Sequence, residues 1–308
     1  MKSDQSNIKK AKKYLDKNYC IGVPTETVYG LASNAYADSA VKKIFNLKKR
    51  PKNNPLIVHY LDTDSLKRDC LINDNFVKLY NKFSPGPITY ILRLKKDSKI
   101  SKYVTNNEKN LAVRFPKHKI FKNLLKELDY PLAAPSANIT TKVSAVQATD
   151  VKEEFGNKIK YILDGGRCAI GIESTIVDLT GKPSILRLGG LDISKIQKIV
   201  RCKMNINFKK KIVPGQSRLH YSPGIPLKMN ILKPKNDEAF ILIKKRKTKL
   251  SNYFYLSTKS NLNEAAKNLY SCLRKIKNMG YKSIAVEKIS NKGLGKTIND
   301  RLQRASRY

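Results

Sequence analysis

The 308-residue sequence has no tryptophan, three histidines, and only 24 acidic residues against 62 lysines and arginines. Three histidines exclude a histidine-rich metal centre. The five cysteines, at 20, 70, 168, 202 and 272, are odd in number and form no C-x-x-C pair. That excludes a disulfide frame or a zinc site of the usual spacing, and they read as reduced, mostly buried thiols. No apolar run exceeds five residues (239–243), far below the roughly 20 needed to span a bilayer. Residues 1–18 are lysine-rich without an apolar stretch, so no signal peptide is expected, and a cytoplasmic protein without membrane contact follows. A complete phosphate loop is also missing. Gly295-Lys296-Thr297 has the right ending between a strand and a helix, but the required upstream glycine position is Ser290.

What is present is a chain that is 41% apolar and long enough for two domains and a sizeable core. The net charge is +38. Clustered cations suit a nucleic acid through counterion release, whereas a lysine-rich composition, with asparagine and isoleucine also abundant, explains the same number without a partner. Aromatics are not interleaved densely enough for a base-stacking platform, which favours compositional bias. Residues 201–308 carry 26 basic and 5 acidic side chains, a net +21, in about a third of the length. With the Pro/Gly cluster at 214–226, this places a boundary near residue 200. The expectation is a domain over 1–200, a linker over 201–223 and a small α/β domain over 224–308.

The first 200 residues read as mixed α/β. Ile8, Ala11 and Leu15 have helical spacing. Asp38 is placed as the cap of a helix carrying Val41, Ile44, Phe45 and Lys48, which ends near Arg50 because Pro51 follows. Ile120, Phe121, Leu124, Leu125 and Leu128 predict a second amphipathic helix. Strands are predicted at 20–23, 56–59, 89–94, 111–114, 161–163, 175–179 and 184–188, so a mixed sheet fits better than a strict βαβ series. The tail reads as strands at 239–243, 253–256 and 283–287 with helices at 263–279 and 297–306.

Several segments carry chemistry. Pro24-Thr25-Glu26-Thr27 follows a strand and offers hydroxyls at a sheet edge, though a threonine-rich turn does the same for structural reasons. Lys48-Lys49-Arg50 ends a helix, where cations are favoured by the macrodipole and can equally bind phosphate. Pro51 then directs the chain, and Asn53 and Asn54 add amide donors. His59 ends an apolar strand, where a core role is commoner than a ligand role. Ser136 and Asn138, after the small residues 131–135, can approach a ligand closely. Glu173-Ser174-Thr175 leads into a buried strand.

Together these segments resemble the YrdC-like threonylcarbamoyl-AMP synthases in their long, two-domain form. The resemblance runs in order through Pro24–Gly30, Lys48–Pro51, Pro55–His59, Ser84–Thr89, Ala112–Pro116, Ala134–Asn138, Glu173–Asp178 and Leu186–Gly189. It continues through Pro214-Gly215-Gln216 and His220–Pro223 to Gly293–Gly295 and Asn299–Ala305. Each match is weak alone; their order is specific. It implies a YrdC-like twisted open mixed sheet with flanking helices and a smaller Rossmann-like α/β domain. The implied reaction joins L-threonine, bicarbonate and ATP into threonylcarbamoyl-AMP and pyrophosphate. A separate tRNA threonylcarbamoyl-transferase complex then modifies an adenosine beside the anticodon. By resemblance, Thr27, His59, Arg114, Ala134 and Ser174 hold threonine and its carbamate. Arg50, Asn54, Asn110, Ser136, Asn138, Ser144, Arg187, His220 and Tyr221 hold ATP. Lys48 and Arg50 act at the phosphates, with Mg²⁺ accompanying the nucleotide and no protein metal site. No side chain stands out as a general base, which suits catalysis by positioning. The run Ser217-Arg218-Leu219 departs from the Lys-Tyr-Arg of archaeal-type linkers. The implied partners include no stable tRNA complex. A non-catalytic double-stranded-RNA-binding protein of the same fold is the rival reading, and an unrelated ATP-using carbamoyltransferase a weaker one.

Overall fold

The computed structural model describes residues 5–201, 204–206, 220–246 and 250–307. The first layer is a nine-stranded sheet. Its strands are β1 (Ile21–Val23), β2 (Gly30–Asn34), β3 (Ile57–His59), β4 (Ile88–Arg93), β5 (Asn110–Arg114), β6 (Leu132–Ala133), β7 (Thr175–Asp178), β8 (Ser184–Arg187) and β9 (Asn205–Ile206). They lie in the order β1-β2-β6-β3-β5-β4-β7-β8-β9. The pairs β3–β5, β4–β7 and β8–β9 are parallel and the remainder antiparallel. Nearly every residue of the central strands is buried, so these strands read as apolar runs without a clean alternation. Register does the positioning. His59 pairs with Arg114 across β3–β5, and Thr89 pairs with Arg114 across β4–β5.

The helices are α1 (Gln5–Asp16), α2 (Asp38–Lys48), α3 (Thr63–Lys67), α4 (Asp74–Phe83), α5 (Lys102–Thr105), α6 (Lys119–Lys126), α7 (Ala148–Phe155), α8 (Ile193–Val200), α9 (Leu262–Asn278) and α10 (Leu294–Ala305). α1 buries Ile8, Ala11 and Leu15, the stripe its spacing predicts. α2 corrects one expectation. Its cap is Ala37, which makes no side-chain cap bond, and Asp38 is the first helical residue. There its charge still meets the positive end of the helix dipole. Lys49 ends α2 in the left-handed region at φ 50°. α6 buries Phe121, Leu124 and Leu125, while Leu128 lies beyond its end. The strand expected at 161–163 is only an isolated bridge between Ile162 and Gly22.

A second, all-parallel sheet contains β10 (Leu227–Met229), β11 (Ala239–Lys244), β12 (Tyr253–Ser257) and β13 (Ile284–Val286), ordered β10-β13-β11-β12. α9 starts where the Asn261 side chain accepts from the amides of Asn263 and Glu264. One hydrophobic cluster runs through both sheets, joining Val146 and Ile172 to Leu269, Tyr270 and Leu302. Cys20, Cys70, Cys168 and Cys272 are free, and burial raises all four thiols. Cys202 lies outside the described residues. No helix among the described residues is long and apolar enough to cross a membrane.

Candidate active site

The site forms where the loop after β1, the ends of β3 and β5, the loop after β6, and the approach to β7 converge. Thr25 sets the first wall. Its Oγ1 accepts from the amides of Thr27 (3.0 Å) and Val28 (3.2 Å) and donates to the Val28 carbonyl (2.7 Å). This closed turn fixes the hydroxyl that lines the cleft. Thr27 is fully buried one layer behind, 2.9 Å from Thr25 Oγ1. Gly30 is needed for close approach: a Cβ there would sit 3.2 Å from the Ala134 methyl and 3.3 Å from Val23. Ala134 and Ser136 line the cleft beside it.

Arg114 enters from the end of β5. One amino group donates to Glu26 Oε1 at 2.7 Å, and both side chains are buried. Glu26 Oε2 also accepts the Lys117 amide at 3.0 Å. Arg114 still lines the cleft, and its Nε has no partner among the described residues. His59 stands next to it, packed 5.4 Å from the Phe121 ring. Burial first, then the Arg114 cation, lowers the imidazole well below its usual range, so it is neutral at pH 7.

The other end is cationic. The Arg50 guanidinium donates to the Asn54 carbonyl (2.9 Å), the Asn54 side-chain oxygen and the Pro55 carbonyl (2.8 Å). Asn54 therefore orients Arg50 and is not itself in the cleft lining. Burial, then the neighbouring Arg187, lowers Arg50 to about 9. Arg187 donates from Nε to the Ser174 carbonyl (3.1 Å) and from Nη2 to Ser174 Oγ (3.1 Å). Ser174 Oγ is also 2.7 Å from Thr89 Oγ1. Three guanidinium groups, those of Arg50, Arg114 and Arg187, thus line one cleft.

Lys48 is placed differently from its neighbours. Its ammonium is buried beneath the loop after β6 and donates to the carbonyls of Ser136 (2.6 Å) and Asn138. Asn138 holds the same loop by donating to Ile139 and Lys142 carbonyls, 2.8 and 2.9 Å away. Ser144 donates to Glu173 Oε1 at 2.6 Å. Asn110 opens β5, on the sheet face shared with Ala112 and Arg114. Thr27, Lys48, Asn54, Asn110, Asn138 and Ser144 do not line the cleft as it stands.

His220 and Tyr221 do line it. Their rings are 4.0 Å apart, and Tyr221 adopts φ 62°. Ser222 anchors the segment by donating its amide to the Thr141 carbonyl at 2.8 Å. Burial lowers His220 to about 3 and raises Tyr221 to about 12, so both are neutral at pH 7. The preceding Pro214-Gly215-Gln216 and Ser217-Arg218-Leu219 lie outside the described residues.

Sequence reasoning did not assign Tyr29 or Glu173 to the lining, nor Tyr270 and Arg301 behind it. Tyr29 OH ties down the 164–166 turn, donating to the Gly166 carbonyl at 2.8 Å. Glu173 accepts from Arg301 Nε (3.0 Å) and from Tyr270 OH (2.9 Å). Burial would raise its pKa, but Arg301, then Arg187 and the Ser144 hydroxyl, outweigh it and hold the carboxyl at about 2. A legible signal existed for Arg301: it falls at helical spacing among Ile298, Leu302 and Ala305, on the buried face of α10.

Three inward-facing guanidinium groups suit anionic ligand groups, on a mixed α/β sheet of the kind found in enzymes. Residues 13–189 match the Sua5/YciO/YrdC family profile, described as "Telomere recombination". Residues 191–307 match the profile described as "Threonylcarbamoyl-AMP synthase, C-terminal domain". The chain belongs to the threonylcarbamoyl-AMP synthase family of YrdC-like enzymes. It is 34% identical to the threonylcarbamoyl-AMP synthase of Pyrococcus abyssi, over 99% of this chain and 95% of that protein. The Bacillus subtilis synthase is 32% identical over 99% and 94% of the two chains. The crystal structure of P. abyssi Sua5 complexed with L-threonine matches with a TM-score of 0.90 at 33% identity, covering 98% of this chain and 95% of that one. E. coli YciO shares the fold, with a TM-score of 0.55 at 22% identity over 60% of this chain.

Proposed function

We propose that this chain condenses L-threonine, bicarbonate and ATP into L-threonylcarbamoyl-AMP, releasing pyrophosphate. The observation that carries the reading is the near full-length likeness to a threonine-bound synthase, together with a cleft whose two ends suit the two substrates. The threonine amine takes up bicarbonate carbon with loss of water, giving a carbamate. A carbamate oxygen then attacks the α-phosphorus, and the bond to the pyrophosphate oxygen breaks.

At the Thr25 end, Arg114 faces the threonine carboxylate while Glu26 fixes its plane; Thr27, His59 and Ala134 complete that end, and Ser174, bonded to Arg187, stands where it meets the other. At the other end, Arg50, Arg187 and Ser136 face the nucleotide phosphates, with His220 and Tyr221 closing over it. Asn54, Lys48, Asn138 and Ser144 act through the loops they hold, and Asn110 extends the nucleotide end along β5. No general base is required, because alignment of carbamate and α-phosphate supplies the advantage.

Mg²⁺ enters as the counter-ion of ATP. The carboxylates of Glu26 and Glu173 are paired with arginines, and among the described residues no three His, Cys, Asp or Glu side chains gather. The reading divides the chain into a catalytic domain over 1–200, a linker over 201–223 and a small domain over 224–308. It places the protein in the cytoplasm, upstream of a tRNA threonylcarbamoyl-transferase complex. Its charge gives only weak, salt-sensitive contact with tRNA. The test is pyrophosphate release from ATP. It should require both threonine and bicarbonate; equal release without threonine would sink the reaction.

A further inference from the structure

We propose that Arg301, on α10, is a positioning residue for the nucleotide end of the cleft, acting through Glu173 and Tyr221. The inference rests on the synthase reading and extends it to the second sheet unit.

Arg301 is 1% exposed although it carries a full guanidinium. Its Nε donates to Glu173 Oε2 (3.0 Å), its Nη2 to the Leu188 carbonyl (2.6 Å) and its Nη1 to the Asp300 carboxylate. The guanidinium carbon stands 4.7 Å from the Tyr221 ring centroid. Tyr270, on α9, stacks on Tyr221 at 5.7 Å and 17° and donates to Glu173. Glu173 in turn accepts from Ser144. One guanidinium therefore fixes the approach to β7, the turn after β8 and the His220–Tyr221 segment, all from the second sheet unit.

Adhesion alone does not account for this arrangement. A buried ion pair is costly to desolvate, and apolar contact holds two units together as well or better. Apolar contact cannot orient a carboxylate beside Ser174, nor cancel its charge next to a site for phosphates. The same interface supplies a control. Arg274, also on α9, bonds the Val143 carbonyl (2.6 Å) and Glu154 (3.2 Å), and neither of those residues lines the cleft.

The test compares the full-length wild type with Arg301→Met, Arg301→Lys, Tyr270→Phe and Arg274→Met. Pyrophosphate release is titrated separately with ATP and with threonine. Hydrogen exchange is followed at 172–175 and 220–224, with 26–30 and 112–115 as the reference end. Arg301→Met should raise the KM for ATP about tenfold or more, as loss of a charge-assisted contact does, and loosen exchange at 172–175 and 220–224 but not at the reference end. Its threonine KM should move far less, and Arg301→Lys should recover part of the ATP affinity. Arg274→Met, whose partners hold the 139–144 loop, should shift the melting temperature and leave exchange at 172–175 as in the wild type. Equal changes in both KM values for Arg301→Met, or unchanged exchange at 220–224, overturn the proposal. If Arg301→Met does not fold, Tyr270→Phe, which loses one hydroxyl, must show the same split in weaker form or the proposal fails. A wild type that releases no pyrophosphate defeats the synthase reading, and the exchange comparison still decides the positioning role.

Discussion

The two ends of the cleft each contain a buried carboxylate–guanidinium pair, Glu26–Arg114 and Glu173–Arg301, with opposite members facing inward. At the first end the arginine lines the cleft and the carboxylate stands behind it. At the second the carboxylate lines the cleft and the arginine is hidden. The first arrangement holds a cation out for an anionic ligand group. The second silences an anion where phosphates are to bind. The first pair lies within one sheet layer, whereas the second exists only when α10 is docked on that layer. The same chemical pair thus serves recognition at one end and coupling between sheets at the other.

Breaking the first pair should have the largest effect. Arg114→Ala removes a ligand-facing cation and also strands Glu26 in a buried place. Removal of one partner of a buried pair costs about 3–5 kcal/mol. Both melting temperature and threonine-dependent activity should fall. Glu26→Gln in the Arg114→Ala background should restore stability without restoring activity. Recovery of activity in that double variant would contradict the recognition role of Arg114.

The closing segment comes next. His220→Ala/Tyr221→Ala removes a ring that is 1% exposed and stacked on Tyr270, a large-to-small change costing about 3 kcal/mol. Synthesis should fall sharply with the nine-stranded sheet still folded, because water then reaches a hydrolysable acyl-adenylate. Deleting residues 214–308 should do more harm, since the apolar cluster is continuous through both sheets. A truncated protein that is folded by circular dichroism and fully active would reduce the segment to a tether.

The contrast between the ends also explains what the sequence made legible. His59, Arg114 and Ala134 stand at strand ends or in short apolar runs, a pattern that marks strands and not ligands; their roles come from the family resemblance. The resemblance assigns Lys48, Asn54, Asn138 and Ser144 to the nucleotide, yet none of them lines the cleft. That they hold carbonyls and neighbouring side chains became visible only in the packed structure. β2 escaped notice because Gly30, Ala32, Ser33 and Asn34 lack the β-branched bulk that marks a strand. The 161–163 run has that bulk, yet it forms only a bridge. Glu173 lies 97 residues from Tyr270 and 128 from Arg301, and no local spacing joins it to them. Only the buried-face position of Arg301 gave a hint.

A smaller effect separates the ends by substrate. Arg50→Ala should weaken ATP and leave threonine nearly unchanged, at about 1.5–3 kcal/mol for a contact to a charged group. Isothermal titration with each substrate measures this. Weaker threonine binding with intact ATP binding would reverse the assignment of the ends.

The smallest effect is on pH. His59 stands at the first end and His220 at the second, and both are held neutral, His220 with a pKa near 3. In an unfolded or opened chain each would titrate near 6.5. Their depressed pKa values contribute nothing adverse above that value. Below it the open state binds protons that the closed state refuses, so stability falls as pH decreases. At pH 5.5 the loss for His220 is on the order of 1 kcal/mol once its burial is undone. Opening at His220 alone should involve one proton and leave the Glu26–Arg114 end intact, whereas global unfolding should also expose His59 and His118, both lowered by burial. Amide protection factors, corrected for the intrinsic pH dependence of exchange, should therefore fall between pH 7.5 and 5 at 220–224 before they fall at 57–60. A simultaneous fall at both sites would mean that the two ends open as one unit, and that the coupling through Arg301 extends across the whole cleft.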